Sequence, residues 1–136
     1  MDDAFARGYG ASMARQAGSS AEQYVSIGGH RVRLTSLDQV LYPETGTTKA
    51  QVLEYYSRVA DVLIPHARDR AATRKRWVSG VGTAEKPGQV FFEKNLPDSA
   101  PSWMKRRDIQ HSDHVNSYPL VNDLPTLVWI AQQNAL

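Results

Sequence analysis

Three consecutive cations, Arg74-Lys75-Arg76, stand in a stretch that reads as extended chain. Successive side chains of a strand face opposite ways, so Arg74 and Arg76 share one face and Lys75 takes the other. A lysine presented alone in such a run reaches a phosphate as a point charge. A second pair, Phe91-Phe92, is followed by Lys94 in another extended stretch. If that strand is one-sided, one ring faces solvent. An exposed ring beside positive charge is a platform for base stacking, worth about 1–3 kcal/mol per base. Lys49 opens a helical stretch, where free backbone N–H groups and the helix dipole favour a phosphate. Each feature also has a plainer use: a strand buried on both faces, or an ordinary exposed lysine.

Other chemistry is weaker. His111 and His114 with Asp113 are candidates for part of a metal site, but the H-S-D-H spacing is awkward on a strand. No third ligand is evident, and a polar hairpin turn accounts for the same residues. Metal-dependent phosphoryl transfer needs two or three converging carboxylates. Here the acidic residues are scattered, with no D-x-D pair, so no catalytic or metal-binding residue is assigned. Phosphate-loop, dinucleotide, zinc-protease and nucleophile-elbow motifs are all absent. The lack of cysteine excludes disulfides, zinc-thiolate centres and a thiol nucleophile.

The chain that must position these residues has 136 amino acids, of which 41% are hydrophobic and 22% charged. That is a globular composition of one domain or part of one. The net charge of +2 hides an uneven distribution. Residues 65–107 carry ten Lys and Arg against four Asp and Glu, while residues 108–136 carry none against three. A basic block between mildly acidic ones suggests a positive face toward a polyanion. No apolar run approaches a membrane span, and the N-terminus lacks the apolar core of a signal peptide, so a cytoplasmic location is expected.

Residues 1–23, rich in Gly, Ala, Ser and Gln, read as a mobile tail. Residues 24–35 read as a β-hairpin turning at Gly28-Gly29, with Val32, Leu34 and His30 on one face and Arg31 and Arg33 on the other. Ser36 to Gln39 fits a capping box and predicts a short helical turn through Leu41, ending before Pro43. Thr48 to Gln51 is a second capping box. It starts a helix with an apolar stripe of Val52, Leu53, Tyr56, Val59, Ala60 and Leu63, ended or kinked by Pro65. Strands are expected at 71–78, 90–94, 107–111 and 115–121. Asp123-Leu124-Pro125 starts a last helix. Its apolar face runs to Leu136 without a stop signal, which predicts a truncated chain. The pattern is α+β, with a mostly antiparallel sheet and flanking helices.

These blocks together resemble a family. Arg33-Leu34-Thr35, Asp38, Val40-Leu41-Tyr42-Pro43 and Thr45-Gly46-Thr47-Thr48-Lys49 resemble the opening of the polymerase domain of bacterial DNA ligase D. Thr73 to Trp77, Phe91 to Pro97, Tyr118 to Val121, Asp123-Leu124 and Leu127 to Gln133 match its following blocks, in order, over residues 24–136. The family belongs to the archaeo-eukaryotic primase superfamily and extends, fills and primes DNA at breaks in non-homologous end joining. The resemblance implies the N-terminal half of a primase-polymerase fold. It implies that Lys49, with Ser36 and Gln39, binds the 5′-phosphate at a gap or break. It further implies that Lys75, Phe91 and Phe92 meet nucleotide and template; the basic residues Arg74, Arg76 and Lys94 are expected on the DNA backbone. The implied partners are DNA, an NTP or dNTP in the full domain, Ku and a DNA ligase.

Two departures qualify those implications. The family carries Asn and Lys where this chain has Ser36 and Gln39, so phosphate recognition is expected to be weaker. Its metal-binding Asp-x-Asp comes after the helix at which this chain ends. Manganese or magnesium is therefore expected only in the full domain, and no nucleotide incorporation is expected from this chain alone. Two further readings stand beside this one: a naturally short, non-catalytic DNA-binding module, and an unrelated basic α+β protein.

Overall fold

Gly28 and Gly29 turn the first hairpin with φ of 56° and 82°, a left-handed pair that a type I′ turn requires. They join β1 (Gln23–Ile27) to β2 (His30–Leu34), antiparallel with Val25 opposite Val32. Val25, Ile27, Val32 and Leu34 face the core, and the alternate residues face solvent. The computed structural model describes residues 22–136. The expected tail lies outside the described residues except for its end, and Gln23 already belongs to β1.

The segment after β2 corrects the first predicted helical turn. Ser36 has φ of 54°, whereas an N-cap residue is extended. Ser36 to Gln39 forms a β-turn closed by the Gln39 N–H on the Ser36 carbonyl. The chain then enters β3 (Val40–Tyr42), which pairs with β4 (Thr47–Thr48) across the Pro43–Gly46 turn.

The second capping box forms as expected. The Gln51 N–H donates to the Thr48 hydroxyl, and the Gln51 side-chain oxygen accepts the Thr48 N–H at 2.9 Å. Helix α1 follows (Lys49–Ala67). Pro65 does not end it, because the carbonyl it would have bonded lies on the solvent side, at Asp61. The Arg68 N–H still reaches the Ile64 carbonyl at 2.8 Å.

Strands β5 (Arg74–Arg76) and β6 (Phe91–Glu93) form a second ribbon, shorter than the sequence predicts. Strands β7 (Arg106–Gln110) and β8 (Val115–Pro119) form a third hairpin. All four strand pairs among the described residues are antiparallel and two-stranded. Isolated bridges, such as Ala71 with Leu120 and Arg76 with Ala135, link segments between them. The architecture is α+β, as the sequence indicates.

Helix α2 (Leu124–Gln132) starts at Asp123, whose carboxylate accepts the Thr126 N–H at 3.1 Å. Every residue from Leu124 to Ala131 is buried. It packs against α1 and β2, so the core gathers Val32 and Leu34 with Leu53, Ala60, Ile64, Leu127 and Val128. Full burial of Leu34, Leu53 and Val128 stabilises by about 1.5–3 kcal/mol each. No helix among the described residues is long and apolar enough to cross a membrane.

The end of α2 carries a stop signal that the sequence reading did not assign. Asn134 sits at φ of 60°, its N–H on the Ala131 carbonyl, and the Ala135 N–H reaches the Ile130 carbonyl. This is a Schellman stop with Asn in the left-handed position. Helix α2 therefore ends at Gln132 and does not run on to Leu136.

Candidate nucleic-acid interface

The turn at Ser36–Gln39 lies against the start of α1. The Gln39 carbonyl accepts the Lys49 N–H, and the Leu37 carbonyl accepts the Ala50 N–H, both at 2.9 Å. With Gln51 bonded to Thr48, the first N–H groups of α1 are occupied. The expectation of free helix-end donors at Lys49 is thereby corrected, and any anion here must be held by side chains.

Those side chains surround a cleft of about 780 Å³. Its lining includes Ser36, Gln39 and Lys49, together with Arg76 from β5. Lys49 is only 4% exposed, and its ammonium donates to the Gln132 carbonyl at 3.0 Å. Burial, and next the positive charge of Arg76, push Lys49 down to about 8. Gln39 is braced: its amide donates to the Val78 carbonyl at 2.8 Å, and its oxygen accepts from Asn134. Arg76 donates to the Gln133 carbonyl and to Glu93, both within 2.8 Å, and remains partly exposed. Ser36, Gln39 and Lys49, expected together from sequence, do converge. Arg31, Arg33, Asp38 and Asn134 line the same cleft and were not assigned there. The alternation of Arg31 and Arg33 on one strand face was the legible sign.

Arg74 is placed otherwise than expected. It is 2% exposed, inside the protein, and its guanidinium serves Glu93 and the Asn95, Lys94 and Ala72 carbonyls. Burial pushes it below its ordinary value, and Glu93 offsets part of that. Buried in this way, it does not reach the surface where a DNA backbone would lie. Lys94 remains exposed at the end of β6.

The other face of the ribbon is open. Lys75 lies opposite Phe92, and its ammonium sits 5.7 Å from that ring and 5.1 Å from Trp77. Phe92 is 67% exposed and Phe91 47%, on opposite faces. An exposed Phe92 beside Lys75, with a second exposed ring on the other face, is surface that water does not favour and a stacked base would cover. Phe92→Ala should weaken binding of single-stranded DNA by about 1–2 kcal/mol. Its stability should stay within about 0.5 kcal/mol, because Phe92 touches no core. Fluorescence titration beside thermal melting checks both, and an unchanged affinity would remove Phe92 from the interface.

His111 and His114 close the β7–β8 turn, with stacked rings 4.8 Å apart and the His111 N–H on the His114 carbonyl. His111 also bonds the Tyr118 hydroxyl, so these residues build a hairpin end. Among the described residues no three His, Cys, Asp or Glu side chains come together as metal ligands.

These features define a class: an α+β protein with a cation-lined cleft on one side of an exposed aromatic ribbon. Comparison with known proteins makes it specific. Residues 48–136 match the family described as LigD, primase-polymerase domain. The multifunctional non-homologous end joining protein LigD of Mycolicibacterium smegmatis is 50% identical over 106 residues, 78% of this chain and 13% of that protein. Its counterpart in Mycobacterium tuberculosis H37Rv is 46% identical over 119 residues, 88% of this chain and 14% of that one. The solved polymerase domain of Mycobacterium tuberculosis ligase D in complex with DNA superimposes with a TM-score of 0.69 at 48% identity. That match covers 77% of this chain and 35% of the solved one. The chain belongs to the ligase D primase-polymerase family, and it spans a small part of its curated relatives.

Proposed function

We propose that this chain binds DNA at a 5′-phosphorylated gap or break, as the end-, template- and nucleotide-facing portion of a ligase-D-type repair polymerase or primase in bacterial non-homologous end joining. The observation that carries this is the convergence of Ser36, Gln39, Lys49 and Arg76 on one cleft. A terminal phosphate carries more charge than an internal one, and a buried lysine with lowered basicity gains most from such a partner. The exposed Lys75, Phe91 and Phe92 ribbon supports contact with template and incoming bases, and Arg76 and Lys94 support backbone contact. The DNA in the solved relative supports the same ligand class. An NTP or dNTP, Ku and a DNA ligase are the partners proposed for the full domain.

Divalent cations, manganese or magnesium, are proposed only for that full domain. Asp38 is the one carboxylate among the described residues lining the cleft. The residues described here do not fit a two-cation centre, and no metal-dependent step is assigned to them.

The test is one gapped duplex with and without its 5′-phosphate, at a single salt concentration, so that general backbone affinity cancels. Lys49→Ala should remove most of the preference for the phosphorylated end. Gln39→Lys should increase that preference by about fivefold, roughly 1 kcal/mol after solvent screening. Its loss of the Val78 bond is tolerable, because Asn134 also donates to that carbonyl at 2.9 Å. If Gln39→Lys strengthens both duplexes equally, the phosphate is not bound in this cleft.

A further inference from the structure

The cleft is larger than one phosphate needs. At about 780 Å³ it falls in the range of pockets that enclose whole organic ligands. Its outer wall is the solvent face of β2, where Arg31 and Arg33 stand two residues apart, about 6.7 Å along the strand. That wall is stiff, because the hairpin beneath it is anchored by buried Val25, Ile27, Val32 and Leu34. The Arg31 guanidinium lies over the Tyr24 ring, 4.1 Å from its centre, which holds the planar group in one orientation. Arg33 is paired with Glu22, and both side chains are about half exposed. An exposed pair of this kind contributes little, so a phosphate can displace Glu22.

We propose that Arg31 and Arg33 form a second anion subsite, which takes the internal phosphates just behind the 5′-terminal phosphate at Lys49, with Tyr24 as the residue that positions Arg31. The inference rests on the function proposed above and extends it from an end to a strand direction. An arginine fork suits a phosphodiester, whose two free oxygens accept paired N–H donors. A strand held at two consecutive points can run only one way through the cleft. The subsite therefore sets polarity as well as affinity.

The test uses the whole 136-residue chain and the gapped duplex with a 5′-phosphate or 5′-hydroxyl. One neutral methylphosphonate replaces the first or the second internal linkage of that strand. Wild-type protein should lose about fivefold in affinity when a contacted linkage is neutral. Arg31→Ala and Arg33→Ala should each weaken the unmodified duplex by a similar factor and lose the sensitivity to methylphosphonate. Both should keep the ratio between phosphorylated and hydroxyl ends. Tyr24→Phe, which retains the ring, should behave as wild type, whereas Tyr24→Ala should lose part of the methylphosphonate response at unchanged melting temperature. Arginine variants that retain the full methylphosphonate response overturn the subsite. If the end preference survives in that case, the Lys49 reading stands; if no protein distinguishes the ends and no linkage matters, both readings fall.

Discussion

Lys49→Met should stabilise the chain by about 2 kcal/mol at pH 7 while removing most of its preference for a 5′-phosphorylated end. The ordinary lysine value of 10.5 falls to about 8 in the folded protein. At about 1.4 kcal/mol per unit, holding the charged form in the cleft costs roughly 3 kcal/mol. Methionine keeps the length and apolar stem and removes the charge. It also gives up the bond to the Gln132 carbonyl, about 1 kcal/mol, which leaves a net gain near 2. For a domain of this size the melting temperature should rise by about 8 °C.

The pH dependence has a definite sign. Below pH 8 Lys49 is charged in both folded and unfolded chains, and its cost is fully present. Between pH 8 and 10.5 the folded chain holds it neutral while the unfolded chain still binds the proton. Folding therefore releases a proton, and stability from this group rises with pH. The advantage of Lys49→Met over wild type should shrink across that window and reverse above it, where the charge cost is gone and only the lost Gln132 bond, about 1 kcal/mol, remains. Other titrating groups cancel in the comparison. End preference should run the opposite way, falling as pH passes 8, because neutral Lys49 cannot attract phosphate. Denaturant melts of both proteins at pH 7, 9 and 10.5, beside end-discrimination assays, check this. A variant less stable than wild type at pH 7 would mean that Lys49 is not strained by burial.

How much of this was legible follows from the range of the interactions. The Gly28-Gly29 hairpin and the Thr48/Gln51 capping box are made within a few residues, so local sequence specifies them. Ser36-Leu37-Asp38-Gln39 carries the same capping pattern and does not become a helix. Its Leu37 and Gln39 carbonyls are taken by the Ala50 and Lys49 N–H groups, and pairing with β4 draws the next residues into β3. The Lys49 and Ala50 donors lie ten or more residues away, where pattern reading does not reach. The same bonds removed the free helix donors expected at Lys49, so one long-range contact accounts for two corrections. Asn134 was legible only in hindsight, because its left-handed turn is fixed by hydrogen bonds to Gln39 and Val78 far upstream. Alternation correctly put Arg74 and Arg76 on one face of β5, yet it gives no sign of which face meets the core.

That ambiguity yields the largest expected effect. Arg74→Ala should destabilise the chain by about 3–5 kcal/mol, a large part of the total stability of an ordinary domain. The guanidinium is buried and donates to Glu93 at 3.2 Å and to the Asn95 carbonyl at 2.8 Å. Two weaker bonds at 3.3 Å go to the Lys94 and Ala72 carbonyls. Removing it leaves Glu93 with Arg76 alone and takes a part-buried donor from the Asn95, Lys94 and Ala72 carbonyls. Lysine should not rescue it, because one ammonium cannot span the positions that a fork reaches. Arg76→Ala makes the informative contrast. Arg76 is more exposed, so its stability cost should be nearer 1–2 kcal/mol, and its effect should fall on DNA. With about four to six phosphates engaged, log K should fall with log salt at a slope of roughly −4 to −5. Arg76→Ala should flatten that slope by up to about one unit, whereas Arg74→Ala, measured where it remains folded, should leave it unchanged. Urea unfolding and salt titrations on both variants separate the two roles. An Arg74→Ala protein of wild-type stability with a flattened slope would put Arg74 on the DNA after all.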